Sequence, residues 1–319
     1  MLRSFLISLS KAAWAQRIVT GWKYAWHAAS RFVAGNTIEE AVLVVKELNA
    51  KGMNVTLDQL GESTTTSEAA VRATEDILEL LDQIERADIR ANVSVKLTQI
   101  GLALDEGLCS QNLERILVRA RQRNNFVRID MEDTPYTEKT IQLFLRMRAK
   151  GYNQTGMVIQ SYLKRSEKDV QALLAGSTRI RLVKGAYKEP PELVFPKKAD
   201  VDANFDLLAQ RLVDAECAAS SPSVSADGRI PPIPALGTHD PRRIQIAKEY
   251  AARRGLPKQA LEFQMLYGIR RDLQSQCVAE GYPVRIYVPY GTNWYPYFMR
   301  RLAERPANVW FFVSNYFRR

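Results

Sequence analysis

The sequence predicts an α/β fold closed into a (β/α)8 barrel, and three observations carry that expectation. Eight short apolar runs alternate with helical patterns, they fit within about 250 residues, and no Gly-x-Gly-x-x-Gly turn follows the first run. Strand–helix alternation demands a parallel sheet, because a crossover helix is the ordinary return route. An open doubly wound sheet that bound a dinucleotide would carry the glycine-rich turn.

The runs come in order along the chain. A helical segment ending near Gly52 leads into Asn54–Leu60, and Ser67–Asp88 then places Ala73, Ile77, Leu80, Leu81 and Ile84 on one helical face. The next strands are Val93–Leu97, Phe126–Glu132, Met157–Tyr162 and Ile180–Gly185. Ile233–Thr238, Leu261–Leu266 and Val284–Val288 complete the eight. The stretch Glu189–Pro234 breaks the rhythm with several prolines, a helical part near Val201–Ala219 and a Ser/Pro/Gly-rich part to Gly228. It reads as one long, mobile βα connection on the fifth unit.

Bulk properties narrow the function classes. With 46% hydrophobic and 25% charged residues in 319, the chain is globular. No apolar run approaches the roughly 18–20 residues of a membrane span. Phe5–Leu9 is short for a secretory core and no clean cleavage site follows, so a cytoplasmic protein is expected. Cys109, Cys217 and Cys277 are scattered and only His27 and His239 accompany them, which argues against structural zinc and for reduced helical cysteines. The net charge of +10 favours polyanions or an acidic membrane surface. The basic residues are spread along the chain without an RNA- or DNA-binding motif, so nucleic acid is not an expected partner.

Polar residues gather at strand ends: Asp58, Lys96, Asp130 with Glu132, Gln160, Arg181 with Lys184, and His239. In a barrel these C-terminal ends share one face, where the loops build active sites. Buried charges cost several kcal/mol unless paired, so packing alone is a poor account of the whole set. An interior network of Arg128, Asp130 and Arg181 that only fixes strand register is the bland alternative for any one of them. A second concentration runs from Tyr287 to Glu304. If Pro296 opens a helix, then Tyr297, Arg300, Arg301 and Glu304 lie on one face, and the paired guanidiniums suit a carboxylate or phosphate. A solvated basic surface fits that spacing equally well. No Gly-x-Ser-x-Gly elbow occurs, while a Schiff-base role for Lys96 or Lys184 stays open. From the residues alone, the chain is a barrel enzyme for a small anionic substrate.

The segments Val55–Ser63, Ser94–Leu97, Arg128–Asp133, Arg181–Tyr187, Gly237–His239 and Tyr287–Glu304 resemble, in order, the motifs of short monofunctional bacterial proline dehydrogenases. The resemblance covers the chain from about Arg31 onward. It implies a distorted (β/α)8 barrel, FAD as cofactor, L-proline as substrate and a quinone as electron acceptor. It further implies that Lys96, Arg300 and Arg301 hold the proline carboxylate, with Leu182, Tyr187, Tyr287 and Tyr297 walling the ring. Asp130 would belong to the essential polar network, and Arg181 would lie against flavin N5, where hydride arrives from proline C5. Met131, Gln160, Lys184, Gly185, Ala186, Thr238 and His239 would contact FAD. Such cations fix the substrate by positioning, while the flavin carries the two-electron step. The sequence names no group that takes the amine proton.

Residues 1–35 are expected to be an N-terminal helical segment and 36–319 the catalytic domain. Leu2, Phe5, Leu6, Leu9 and Ala13 have amphipathic spacing, with Lys11, Arg17 and Lys23 nearby. They suit peripheral contact with the inner membrane or a helix docked on the barrel. The aromatic tail Trp310–Phe317, with Arg318 and Arg319, is the other candidate for membrane contact.

Overall fold

The computed structural model describes residues 9, 12–20, 23–61, 64–219 and 224–304. Among the described residues, three helices with defined bounds precede the barrel: α1 (Ala13–Thr20), α2 (Lys23–Ala29) and α3 (Ile38–Ala50). Eight parallel strands then close in sequence order. They are β1 (Asn54–Gln59), β2 (Ala91–Val95), β3 (Val127–Ile129), β4 (Thr155–Gln160), β5 (Ile180–Val183), β6 (Pro234–Gly237), β7 (Glu262–Leu266) and β8 (Val284–Tyr290). Closure pairs β8 with β1, Asn54 opposite Arg285 and Gln59 opposite Tyr290. Between and after them run α4 (Ser67–Arg86), α5 (Glu106–Gln122), α6 (Thr134–Ala149), α7 (Ser166–Leu174), α8 (Lys198–Ala219), α9 (Pro241–Arg253), α10 (Arg271–Ala279) and α11 (Trp294–Glu304). The predicted barrel and its eight strands are present.

Local chemistry sets the helix starts. Thr37 Oγ1 accepts from the Glu40 amide at 3.3 Å while the Glu40 carboxylate accepts from the Thr37 amide at 3.3 Å, a reciprocal cap on α3. Thr66 and Asp105 cap α4 and α5 in the same acceptor role. On α4, Ile77, Leu80, Leu81 and Ile84 are buried as their spacing predicts, with Ala73 half-buried.

Strand alternation divides the barrel into two environments. Val55, Leu57, Val93, Val95, Ile129, Ile159 and Leu182 join the buried faces of the helices in one apolar core. The residues between them point into the barrel, and many are polar. Thr56 Oγ1 donates to Asn92 Oδ1 at 2.6 Å, and Arg285, fully buried, meets Glu262 Oε1 and Oε2 at 2.9 Å each. A regular barrel fills this space with layers of branched apolar side chains. Here a hydrogen-bonded polar interior replaces them.

The distortion that the resemblance implies is visible at the last unit. α3 lies against β1, β8 and α4, the outer position that a helix after β8 takes in a regular barrel. α11 instead packs on α1 and α2, in a second apolar cluster of Ala15, Ala25, Ala29, Phe32, Trp294, Phe298 and Leu302. Residues Leu2, Phe5, Leu6 and Lys11, the Glu62–Ser63 end of the first motif and the tail from Arg305 lie outside the described residues.

The stretch Glu189–Pro234 is not one βα connection, because α8 divides it. Its first part pairs with the loop after β4, the Leu193 carbonyl accepting from the Lys164 amide at 3.0 Å. α8 follows, and the Ser/Pro/Gly-rich part after α8, of which Ser220–Ser223 lie outside the described residues, is an αβ connection, hence at the opposite end. The described residues of that connection form a floor under the barrel. The Gly228 carbonyl accepts from Arg285 Nη2 at 2.7 Å, and the Arg229 carbonyl accepts from Asn92 Nδ2 at 2.7 Å. The Arg229 side chain pairs with Glu85 at 2.6 Å. Gly228 has φ +68°, and a Cβ there would come within 2.3 Å of Asn54 Oδ1, so only glycine fits.

Candidate active site

At the C-terminal mouth, strands far apart in sequence bring charged groups into contact. Lys96, at the end of β2, places Nζ 2.8 Å from Asp58 Oδ1 of β1 and 3.8 Å from Asp130 Oδ2. The Tyr287 hydroxyl of β8 donates to Asp130 Oδ2 at 2.7 Å and lies 3.4 Å from Lys96 Nζ. Arg181 of β5 reaches across the barrel, with Nη1 2.8 Å from Asp130 Oδ1 and 3.3 Å from Ser94 Oγ. Its guanidinium stands 5.1 Å over the Tyr287 ring. The cluster pairs two cations with two carboxylates, which is how such a site tolerates burial.

Burial and pairing pull the titrating groups apart. Burial alone would raise the Asp130 carboxyl, but Arg181 and Lys96 outweigh it and hold it below the ordinary carboxylate value. Burial raises the Asp58 carboxyl despite Lys96 beside it. Burial also pushes the Tyr287 hydroxyl well above its ordinary value, and the charges of Asp130 and Asp58 add to that. Tyr287 therefore stays a hydrogen-bond donor, and Asp130 an ionised acceptor.

These residues line a cavity of about 390 Å³. Lys96, Asp130, Met131, Gln160 and Arg181 come from strands β2 to β5 or their ends; Lys184, Gly185, Ala186 and Tyr187 come from the loop after β5. Thr238 and His239 follow β6, Tyr287 lies on β8, and Tyr297, Arg300 and Arg301 reach down from α11. Leu182 is the exception. It is fully buried on the other face of β5, because its neighbours Arg181 and Val183 take the two inward positions. Glu132 is also elsewhere, accepting from the Thr98 amide at 3.0 Å. Arg128 donates to the Met157 carbonyl at 3.2 Å and, with Phe126 under its guanidinium, does serve the interior of the barrel.

Two polar atoms of the cavity wall, Arg181 Nη2 and Gln160 Oε1, are buried without a hydrogen-bond partner in the protein. Unsatisfied buried groups cost free energy, so a wall that carries them is built to meet a ligand. The wall has five cationic side chains, Lys96, Arg181, Lys184, Arg300 and Arg301, against the carboxylates Asp58 and Asp130. That excess suits an anionic ligand. Gly185 has φ +111°, and a Cβ there would meet the Tyr162 ring at 2.2 Å. His239 Nε2 accepts from the Leu266 amide at 2.9 Å, so Nδ1 is the nitrogen that carries the imidazole proton. The Schiff-base reading loses its basis. Lys96 is paired with Asp58, and Lys184 with Asp202 and Asp240 at 2.5 and 2.8 Å, the opposite of the uncompensated setting that frees a lysine amine.

Sequence reasoning noted Asp58 as a polar strand end without giving it a place in the site. It passed over Gln264, whose Oε1 accepts from Arg181 Nε at 2.5 Å. Period-2 spacing with Glu262 and Leu266 was the available signal.

Fold and site together define a (β/α)8-barrel enzyme with a cationic cavity at its mouth, suited to a carboxylate-bearing ligand. The family model for proline dehydrogenase matches residues 41–313. Proline dehydrogenase 2 of Bacillus subtilis (strain 168) is 37% identical over 310 residues, covering 97% of this chain and 96% of its own length. The proline dehydrogenase of Deinococcus radiodurans is 40% identical over 293 residues, 91% of this chain and 90% of its own. The crystal structure of proline utilization A from Bdellovibrio bacteriovorus, inactivated by N-propargylglycine, matches with a TM-score of 0.78 at 28% identity, covering 88% of this chain. The chain spans 33% of the length of that protein. The chain belongs to the proline dehydrogenase family, and it is an enzyme of proline oxidation in proline catabolism.

Proposed function

We propose that the chain oxidises L-proline to Δ1-pyrroline-5-carboxylate with FAD as resident cofactor and a quinone as electron acceptor. The observation that carries this reading is the pair of buried, unpartnered polar atoms, Arg181 Nη2 and Gln160 Oε1, on a cationic cavity wall. A flavin offers both donors and acceptors along its edge, and its diphosphate is anionic, so the donor set fits. Met131, Gln160, Arg181, Lys184, Gly185, Ala186, Thr238 and His239 would hold it. Bound there, the flavin supplies the two-electron acceptor for hydride from proline C5.

The remaining work falls to the side chains of the chain itself. Arg300 and Arg301, with Lys96, take the proline carboxylate and so fix the ring in one orientation. Tyr287, Tyr297 and Tyr187 wall the ring. Asp130 keeps Arg181 and the Tyr287 hydroxyl in place, which preorganises the wall before substrate arrives. Residues 36–319 form the catalytic domain, and α1 and α2 of the N-terminal segment steady α11 from outside. A quinone is dissolved in the membrane, so the enzyme would meet it as a peripheral protein on the cytoplasmic side. No helix among the described residues is long and apolar enough to cross a membrane.

Colour is the direct test. The purified protein should show a flavin spectrum that bleaches anaerobically on addition of L-proline. A colourless protein whose lysine is trapped by borohydride in the presence of substrate would overturn the reading. N-propargylglycine should inactivate the enzyme with time, and L-proline should slow that inactivation.

A further inference from the structure

The interior of the barrel carries a continuous hydrogen-bonded column from its floor to Arg181. The Gly228 carbonyl accepts from Arg285 Nη2 at 2.7 Å, and Arg285 meets Glu262 through Nε and Nη2 at 2.9 Å each. Glu262 Oε1 accepts from Gln264 Nε2 at 2.5 Å, and Gln264 Oε1 accepts from Arg181 Nε at 2.5 Å. Arg285 and Glu262 are fully buried, and Gln264 and Arg181 are 4% and 5% exposed.

The direction of each bond in the column is dictated by chemistry. A carboxylate salt-bridged to Arg285 can only accept, so the Gln264 amide must turn its NH2 toward Glu262. A guanidinium can only donate, so the Gln264 oxygen must face Arg181. The two demands agree, and they leave the amide one orientation. Arg181 is then held at Nε by Gln264 and at Nη1 by Asp130 and Ser94. Nη2 is the nitrogen left buried and without a partner in the protein.

We infer that Gln264 is a positioning residue for proline oxidation: polarised by the Glu262–Arg285 pair, it locks the Arg181 guanidinium in the orientation that reserves Nη2 for the occupant of the cavity. The inference rests on the proposed role of Arg181. An apolar replacement at 264 would strand two buried partners at once, Arg181 Nε and one lone pair of Glu262. A carboxyl replacement would behave differently. Protonated, it donates to Glu262 and accepts from Arg181 as the amide does; ionised, it faces Glu262 at hydrogen-bond distance with like charge.

The test uses the holoenzyme, with L-proline and a soluble dye acceptor. Gln264→Leu should lower kcat about tenfold or more while the KM for proline stays within about threefold, because Arg300 and Arg301 are untouched. Gln264→Glu should retain activity at the acid end of the wild-type range and lose it as pH rises, a limb that the wild type lacks. A merely structural residue would lower Tm in both variants without creating that limb. Wild-type kcat in Gln264→Leu, or a wild-type pH profile in Gln264→Glu, overturns the inference. Should the variants fail to fold, 15N spectra of the unsubstituted holoenzyme decide. The Arg181 Nε–H resonance, assigned by its loss in Arg181→Lys, should exchange slowly with solvent, and fast exchange there overturns the inference. Arg181→Lys also separates the two readings. If it keeps full activity, the proposed role of Arg181 fails; if it is inactive while Gln264→Leu is normal, only the positioning role fails.

Discussion

Arg300 and Arg301 reach the cavity from α11 on the face that Tyr297 shares, and the Arg301 guanidinium stands 5.1 Å from the Tyr297 ring. Charge-assisted pairs to a carboxylate are the strongest polar contacts available there. Replacing either arginine by Met should therefore cost about 2 kcal/mol in substrate binding, roughly thirtyfold in KM, with flavin retained. Steady-state kinetics and the flavin absorbance of the same samples check both parts. Loss of flavin at normal KM would assign the arginines to the wrong ligand. Tyr287 has two separable functions, a hydroxyl donated to Asp130 and a ring under Arg181. If the ring walls the pyrrolidine, Tyr287→Ser should narrow the preference for proline over 4-hydroxyproline, while Tyr287→Phe should leave that preference and lower kcat. Two-substrate kinetics in which Ser leaves the ratio fixed would remove Tyr287 from the wall.

Among the elements, α11 leans on neighbours from the far end of the chain. Its Trp294, Phe298 and Leu302 are buried against α1, α2 and Phe32, the Trp26 and Trp294 rings lie 5.6 Å apart, and the Tyr295 hydroxyl donates to the Leu9 carbonyl at 3.0 Å. Deleting residues 1–18 should lower Tm and raise the KM for proline several-fold, because the helix that presents Arg300 and Arg301 loses its backing. An unchanged KM with a soluble dye would show that α11 stands without α1. At the α8–β6 junction, Glu216 accepts from the Ile233 amide at 2.8 Å, and burial pushes its carboxyl up to about 7. The unfolded value is about 4.3. A carboxyl raised in the fold stabilises it fully below the unfolded value, and that stability is lost as pH rises from there through the folded value. Glu216→Gln should therefore match or trail the wild type near pH 5 and melt higher than it near pH 8. Parallel Tm curves across that range would exclude a buried, titrating Glu216. The helix–strand order was readable because period and length are local properties. The docking of α11 was not, since its partners lie more than 260 residues earlier.

For the whole molecule, the net charge of +10 is spread over a surface that must meet a membrane-borne acceptor if a quinone is used. Binding to anionic vesicles should be measurable by sedimentation at low salt and should fade as ionic strength passes about 0.3 M, where screening shortens to several ångströms. Equal binding to neutral vesicles, or binding insensitive to salt, would point to an apolar anchor instead. The same whole-molecule view explains why the floor was misread. A Ser/Pro/Gly stretch looks loose in sequence, yet Gly228 and Arg229 are bonded to β8, β2 and α4.

The sequence by itself determined the strand order, the closed parallel topology and the end of the barrel where the polar residues collect, because alternation and strand polarity are written locally. It also supplied most residues of the cavity wall through the resemblance of its motifs. Tertiary structure alone decided which side of β5 Leu182 takes, that α3 rather than α11 covers the β8–β1 seam, and that Lys96 and Lys184 are paired with carboxylates. It alone joined Arg285, Glu262 and Gln264 into a column beneath Arg181, as the Arg285 hydrogen bond to the carbonyl of Val55 spans 230 positions. Mid-strand polar residues announce that they need partners, and only closure of the barrel says which ones they find.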